Sequence, residues 1–224
     1  GSLCKILDET KETNLTSDHL SQVIAIKKPD QTTHSFSYDA FGRVVNHRHQ
    51  DSNEHTVSRF FYIGYQEIGS LNEKREIETL RIPGICGEEI SLKSIAIEIK
   101  KKPFAPIHDF PGNVTALVDP TNCKVVESYI YSAFGKEAIY NAAGKRLKHS
   151  INPWRFAEKR KIDQFVLFGF RFYDPSTGRW ISPDPIGFAD GPNGYAYLHH
   201  NPVNYFDRFG LATEDKDVAG VIVC

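Results

Sequence analysis

The sequence predicts an all-β fold of antiparallel β-hairpins, and three observations predict it. A six-residue unit recurs: Tyr38-Asp39-Ala40-Phe41-Gly42-Arg43, Tyr131-Ser132-Ala133-Phe134-Gly135-Lys136 and Tyr140-Asn141-Ala142-Ala143-Gly144-Lys145. Alternating or β-branched stretches separate the turn signals. Aromatic residues make up 12% of the chain, and with 16 Gly and 12 Pro they favour strands joined by tight turns.

The repeated unit has the physics of a hairpin. Tyr ends a strand and packs on its neighbour. Asp, Ser or Asn opens the turn by accepting backbone N–H bonds, Gly takes the positive φ, and the cation starts the return strand facing water. One hairpin alone cannot bury its apolar face, so such units stack into an extended sheet.

Further elements follow along the chain. His47 and His49 share one strand face with His55 nearby, and a solvated face is expected there. Residues 71–80 are highly charged and fit either a short helix or a hairpin tip. Ile95, Ile97 and Ile99 alternate with Ala96 and Glu98, the pattern of a sheet with one wet face. Lys100-Lys101-Lys102-Pro103 reads as a solvated loop, because no aromatic platform for nucleic-acid stacking accompanies it. Asp109-Phe110-Pro111-Gly112-Asn113 is a turn, and residues 125–131 are a β-branched, aromatic strand. Trp154 and Trp180 are core aromatics. Residues 165–173 are apolar on both faces, as in a strand buried on both sides.

Composition excludes several classes. A net charge of −1 asks for neither nucleic acid nor an acidic membrane. No apolar run approaches the roughly 20 residues of a membrane-spanning helix, and no signal-type stretch opens the chain. Methionine is absent, which suggests a piece excised from a longer protein. Cys4, Cys86, Cys123 and Cys224 lack Cys-x-x-Cys spacing, so isolated buried thiols are expected and no metal or cofactor is.

The C-terminal part carries the chemistry. Two Asp-x-x-Gly turns stand at Asp184-Pro185-Ile186-Gly187-Phe188 and Asp207-Arg208-Phe209-Gly210-Leu211. Between them run Asn193-Gly194-Tyr195-Ala196-Tyr197 and Asn201-Pro202-Val203-Asn204-Tyr205, and before them Phe172-Tyr173-Asp174-Pro175-Ser176-Thr177-Gly178-Arg179-Trp180. Two carboxylates brought to one point meet a precondition for acid–base chemistry on a peptide bond. In this order the motifs resemble the RHS repeat-associated core domain of bacterial RHS/YD-repeat proteins, and the recurring hairpin units resemble YD repeats.

The resemblance implies a curved β-shell over residues 1–150, closed by an aromatic-rich core domain over 151–211. Residues 212–224 would begin a variable C-terminal region. It implies an aspartyl autoprotease acting in cis, with Asp184 and Asp207 as the catalytic pair. Arg179 would hold a carboxylate, and the cut would fall between Leu211 and Ala212. The implied partners are the protein's own C-terminal toxin or cargo polypeptide and the N-terminal shell repeats, in a parent protein that is secreted or at the cell surface. Two departures stand out. Arg208 replaces the family's frequent Pro, adding a cation expected to lower the carboxylate pKa, and Phe188 replaces Leu. Residues 212–224 are too few for a folded cargo, since domains below ~40 residues rarely stand without staples. The alternative is a non-catalytic structural or adhesive YD-repeat module. A sugar-binding sheet using Tyr and Trp is a third reading.

Overall fold

The computed structural model describes residues 5–8, 11–86, 89–187, 189, 191–211 and 213–215. Fourteen strands form one antiparallel sheet in which spatial order equals sequence order. The first seven are β1 (Lys5–Asp8), β2 (Lys11–Ser17), β3 (Val23–Lys27), β4 (Thr33–Tyr38), β5 (Val44–Gln50), β6 (His55–Ile63) and β7 (Gln66–Leu71). The next seven are β8 (Ile77–Cys86), β9 (Glu89–Ile99), β10 (Lys102–His108), β11 (Val114–Asp119), β12 (Lys124–Tyr131), β13 (Glu137–Asn141) and β14 (Arg146–Leu147). No helix among the described residues is long and apolar enough to cross a membrane.

The repeated units make the turns. Asp39 Oδ1 accepts the N–H groups of Phe41 and Arg43 at 2.9 and 3.0 Å, and Gly42 adopts φ +77°. Asn141 does the same for Ala143 and Lys145 at 3.0 and 2.9 Å. Asp18 builds an equivalent turn without a glycine, with Ser21 at φ +63°. The tyrosines do more than pack. The hydroxyls of Tyr38, Tyr62 and Tyr131 donate to the carbonyls of Val23, Val44 and Val114 on the preceding strand at 2.8, 2.6 and 2.7 Å. A one-residue slip would turn every side chain to the other face, so each latch pins one register.

Residues 71–80 resolve as a hairpin, with Asn72 N–H bonded to the Glu76 carbonyl at 2.9 Å between β7 and β8. Residues 165–173 form no single strand. They split into β16 (Phe165–Leu167) and β17 (Phe172–Asp174), which lie between β15 (Arg160–Ile162) and β18 (Arg179–Trp180) in a second, four-stranded sheet. Gly169, at φ +87°, breaks the run. Tyr205–Phe206 (β19) and Glu214–Asp215 (β20) pair separately.

Trp154 and Trp180 are buried in the core. The segment after β14 packs on one face of both halves of the large sheet. Ile162, Phe165, Leu167, Phe172 and Ile181 join Val23, Ile26, Phe36, Val44 and Phe60 in one cluster. Trp154 joins Ile97, Val114, Leu117 and Tyr129 in another. Fourteen strands at about 4.8 Å spacing would span roughly 65 Å if flat, so a sheet that reaches one short segment from both sides must curve around it.

Two expectations need correction. The histidine face is only partly solvated: His47 and His49 are half-buried, His47 stacks on Phe36 and its Nε2 lies 2.9 Å from Nδ1 of the buried His34, while His55 is exposed. The thiols do not share one buried state: Cys123 is free and exposed in a turn at φ +55°, while Cys4 and Cys224 lie outside the described residues.

Candidate functional site

Each Asp-x-x-Gly turn is built by one oxygen of its aspartate. Asp184 Oδ1 accepts the Ile186 N–H at 3.0 Å, and the Asp184 carbonyl accepts the Gly187 N–H at 3.0 Å. Asp207 Oδ1 accepts the N–H groups of Phe209, Gly210 and Leu211 at 3.0, 2.7 and 3.1 Å. The Oδ2 atoms are turned elsewhere. Both face Nη2 of Arg171, at 2.8 Å from Asp184 and 3.6 Å from Asp207. All three residues are buried.

Arg171 also ties the two turns together. Its Nε donates to the Gly210 carbonyl at 2.5 Å, and its Nη1 donates to the Gly194 carbonyl at 3.2 Å. Gly194 in turn lies against Asp184: a Cβ there would stand 3.3 Å from the Asp184 backbone nitrogen. The guanidinium is stacked over Trp180 at 4.1 Å, within an aromatic plug that includes Phe168, Tyr173 and Tyr197. Aromatic faces suit a guanidinium stripped of water.

The second turn is docked on the β16–β17 hairpin. The Phe209 carbonyl accepts the Phe170 N–H at 3.1 Å, and a Cβ on Gly210 would meet Phe168 Cβ at 3.1 Å. Gly210 is at φ +78°, so the residue before Leu211 needs both a left-handed backbone and no side chain.

Burial raises the pKa of Asp207 above its ordinary value; Arg171 and the three N–H donors oppose the shift without cancelling it. This is the reverse of the lowering expected from Arg208, whose guanidinium lies over the Phe206 ring at 5.5 Å.

The structure thus brings Asp184, Asp207 and Leu211 into one neighbourhood. Arg179 is not the residue between the carboxylates: it is exposed on β18, opposite Asp174 in the strand register. Ala212 and Phe188 lie outside the described residues. Sequence reasoning missed Arg171, a lone charge inside the apolar run Phe168-Gly169-Phe170-Arg171-Phe172. A charge in such a run is rarely buried unless paired, and that was the available signal. Among the described residues, no group of three or more His, Cys, Asp or Glu is placed to hold a metal ion.

No family model matches the chain. It is 34% identical over 92 residues to toxin subunit YenC2 of Yersinia entomophaga, covering 41% of this chain and 9% of the relative. It is 54% identical over 43 residues to probable deoxyribonuclease RhsA of Dickeya dadantii, covering 19% and 3%. Its fold matches a chain of the Tc holotoxin pore of Photorhabdus luminescens with TM-score 0.68 at 18% identity, covering 96% of this chain and 10% of that one. The chain therefore spans a tenth or less of each of these three proteins. The large open antiparallel sheet is thus similar in fold to a Tc-toxin chain, and the sequence is similar over part of its length to RHS and Tc-toxin proteins.

Proposed function

We propose that this chain is the shell-closing part of its protein and that it cuts itself once, in cis, between Leu211 and Ala212. The observation that carries this reading is the pair of Oδ2 atoms facing one buried guanidinium nitrogen, with the turn that leads into Leu211 already fixed. Asp184, closer to Arg171, is the charged base. Asp207, whose pKa burial raises, is the acid.

Asp184 takes a proton from water as the water oxygen adds to the Leu211 carbonyl carbon. Asp207 gives its proton to the carbonyl oxygen. When the intermediate collapses, the C–N bond breaks, and the proton on Asp184 passes to the Ala212 nitrogen. The hydroxyl proton returns to Asp207. The products are a carboxyl group at Leu211 and an amine at Ala212. Catalyst and substrate share one chain, and such preorganisation is worth about 7–11 kcal/mol of barrier.

The released segment would be the start of a C-terminal cargo enclosed by the shell, and earlier repeats would pair along the β1 edge, in a secreted protein. The names of the relatives, toxin subunit and deoxyribonuclease, support a toxin container.

The test is the intact mass of the chain expressed with its natural flanking sequence, beside Asp184→Asn and Asp207→Asn. Cleavage after Leu211 in the parent and in neither variant is expected. An uncut, folded parent would leave a structural module as the reading.

A further inference from the structure

A second buried cation reaches the same turn. Lys159 is only 9% exposed, and its Nζ donates to the Arg208 carbonyl at 2.5 Å. Its ammonium lies over the rings of Phe168 and Phe209, at 5.8 and 5.6 Å. With Lys159 included, the carbonyls of Arg208, Phe209 and Gly210 have separate donors: Lys159 Nζ, Phe170 N–H and Arg171 Nε. The N–H groups of Phe209, Gly210 and Leu211 are held by Asp207. Both sides of the peptide chain entering the expected cut are therefore gripped.

The lysine is itself anchored. Ala157 and Glu158 adopt φ +50° and +52°, a costly conformation for residues with side chains. That bend is braced by β8 and β9: Arg81 donates to the Glu158 carbonyl at 2.9 Å, and the Ser94 N–H meets the Glu158 carboxylate at 2.8 Å. A strained bend held by the shell wall aims an ammonium at a turn carried by the core segment. Burying a lysine is costly unless the charge is used.

We propose that Lys159 is a positioning residue for cleavage of the Leu211–Ala212 bond. It holds the Arg208–Phe209 peptide plane so that Asp207 keeps its three N–H bonds on Oδ1 and presents Oδ2 to Arg171. This rests on the self-cleavage reading above. The groups facing the ammonium are Arg81 and Arg160 as cations, Glu67, Glu158 and Asp207 as carboxylates, and Tyr65 beside Phe209. Burial, and then Arg81, bring the Lys159 pKa down to about 8. The clamp therefore loses its charge as pH rises through that value, and cleavage slows with it.

The experiment follows cleavage by intact mass across pH values below and above 8, in the chain with its natural flanking sequence. The parent, Lys159→Met and Lys159→Arg are compared, with folding checked by circular dichroism. Lys159→Met is expected to slow cleavage on the order of 100-fold, the cost of a misplaced reacting group. Lys159→Arg restores the rate to within about tenfold and removes from the alkaline side the part of the fall centred near pH 8, leaving that of the Asp207 acid. A cutting parent with Lys159→Met at the parental rate overturns the role of Lys159 alone. An uncut parent overturns it together with the self-cleavage reading. If Lys159→Met does not fold, the parent's own pH profile decides: a rate that stays level well above pH 8 overturns the proposal.

Discussion

The Arg171 guanidinium stands 2.8 Å from the Asp184 carboxylate, with both side chains almost fully withdrawn from water. Removing one member of a buried pair leaves an uncompensated charge, at a cost of about 3–5 kcal/mol. Arg171→Met is expected to lose that much stability in denaturant unfolding. Arg171→Lys keeps the charge but cannot reach Asp184, Asp207 and the Gly210 carbonyl together. It is expected to fold and to cut on the order of 100-fold more slowly, as read by intact mass against time.

Asp207 predicts a separation of stability from activity. Its folded pKa is raised, so its contribution to stability is present at pH values below its unfolded value of 3.8 and is lost as pH rises through the folded value. Wherever the side chain is ionised, its buried charge is thus a burden on the fold. Asp207→Asn keeps an Oδ1 acceptor for the N–H groups of residues 209–211 and removes the charge. Thermal melts at neutral pH should find this variant at least as stable as the parent, while cleavage is abolished. A clear drop in Tm would contradict the assignment.

The His34–His47 pair makes the fold acid-sensitive. Burial lowers both pKa values, that of His47 to about 3. The neutral rings bind fewer protons than they do in the unfolded chain. Their stabilisation is therefore complete above the unfolded value of 6.5 and is lost as pH falls toward the folded values. Carboxylates titrate in part of the same window, so the measurement is a difference. Denaturant unfolding of His47→Phe, which extends the stack on Phe36 and Phe60, should show a shallower loss between pH 6.5 and 3 than the parent.

Two glycines of the repeated unit should respond unequally. Gly144 is at φ +74° with open space around it, so Gly144→Ala pays only the left-handed backbone, about 1–2 kcal/mol. Gly135 is at φ +83°, and a Cβ there would stand 2.7 Å from the ring of Phe156. Because Phe156 is buried, Gly135→Ala should cost about 1–3 kcal/mol more, as overpacked cores do. Equal losses in unfolding experiments would refute the packing argument.

What could be read from the sequence was what is local. The turn units carry their own donors, acceptors and glycines within six residues, so the hairpins were legible. The two aspartate turns were legible for the same reason. The residues that join them were not. Arg171 stands just before β17 and Arg179 on β18, and it is Arg171 whose guanidinium lies over Trp180 and reaches the Gly194 carbonyl, contacts made far along the chain. Lys159, Arg160 and Lys161 look like a solvated run of cations, yet Arg160 lies 2.9 Å from the buried Glu67 carboxylate, a partner far back in the chain. The strand expected over residues 165–173 failed because hydrophobicity reports burial, whereas Gly169 reports the chain reversal.

The sheet's order, each strand beside its sequence neighbour, has a consequence for timing. Every strand can be laid down against the one before it, and the Tyr38, Tyr62 and Tyr131 latches pin three of those pairings. The segment bearing Asp184 and Asp207 comes after the fourteenth strand and leans on both halves of the wall. It has nowhere to settle until the wall is wound. On the proposed self-cleavage reading, completion of the structure around the two carboxylates is what would arm them.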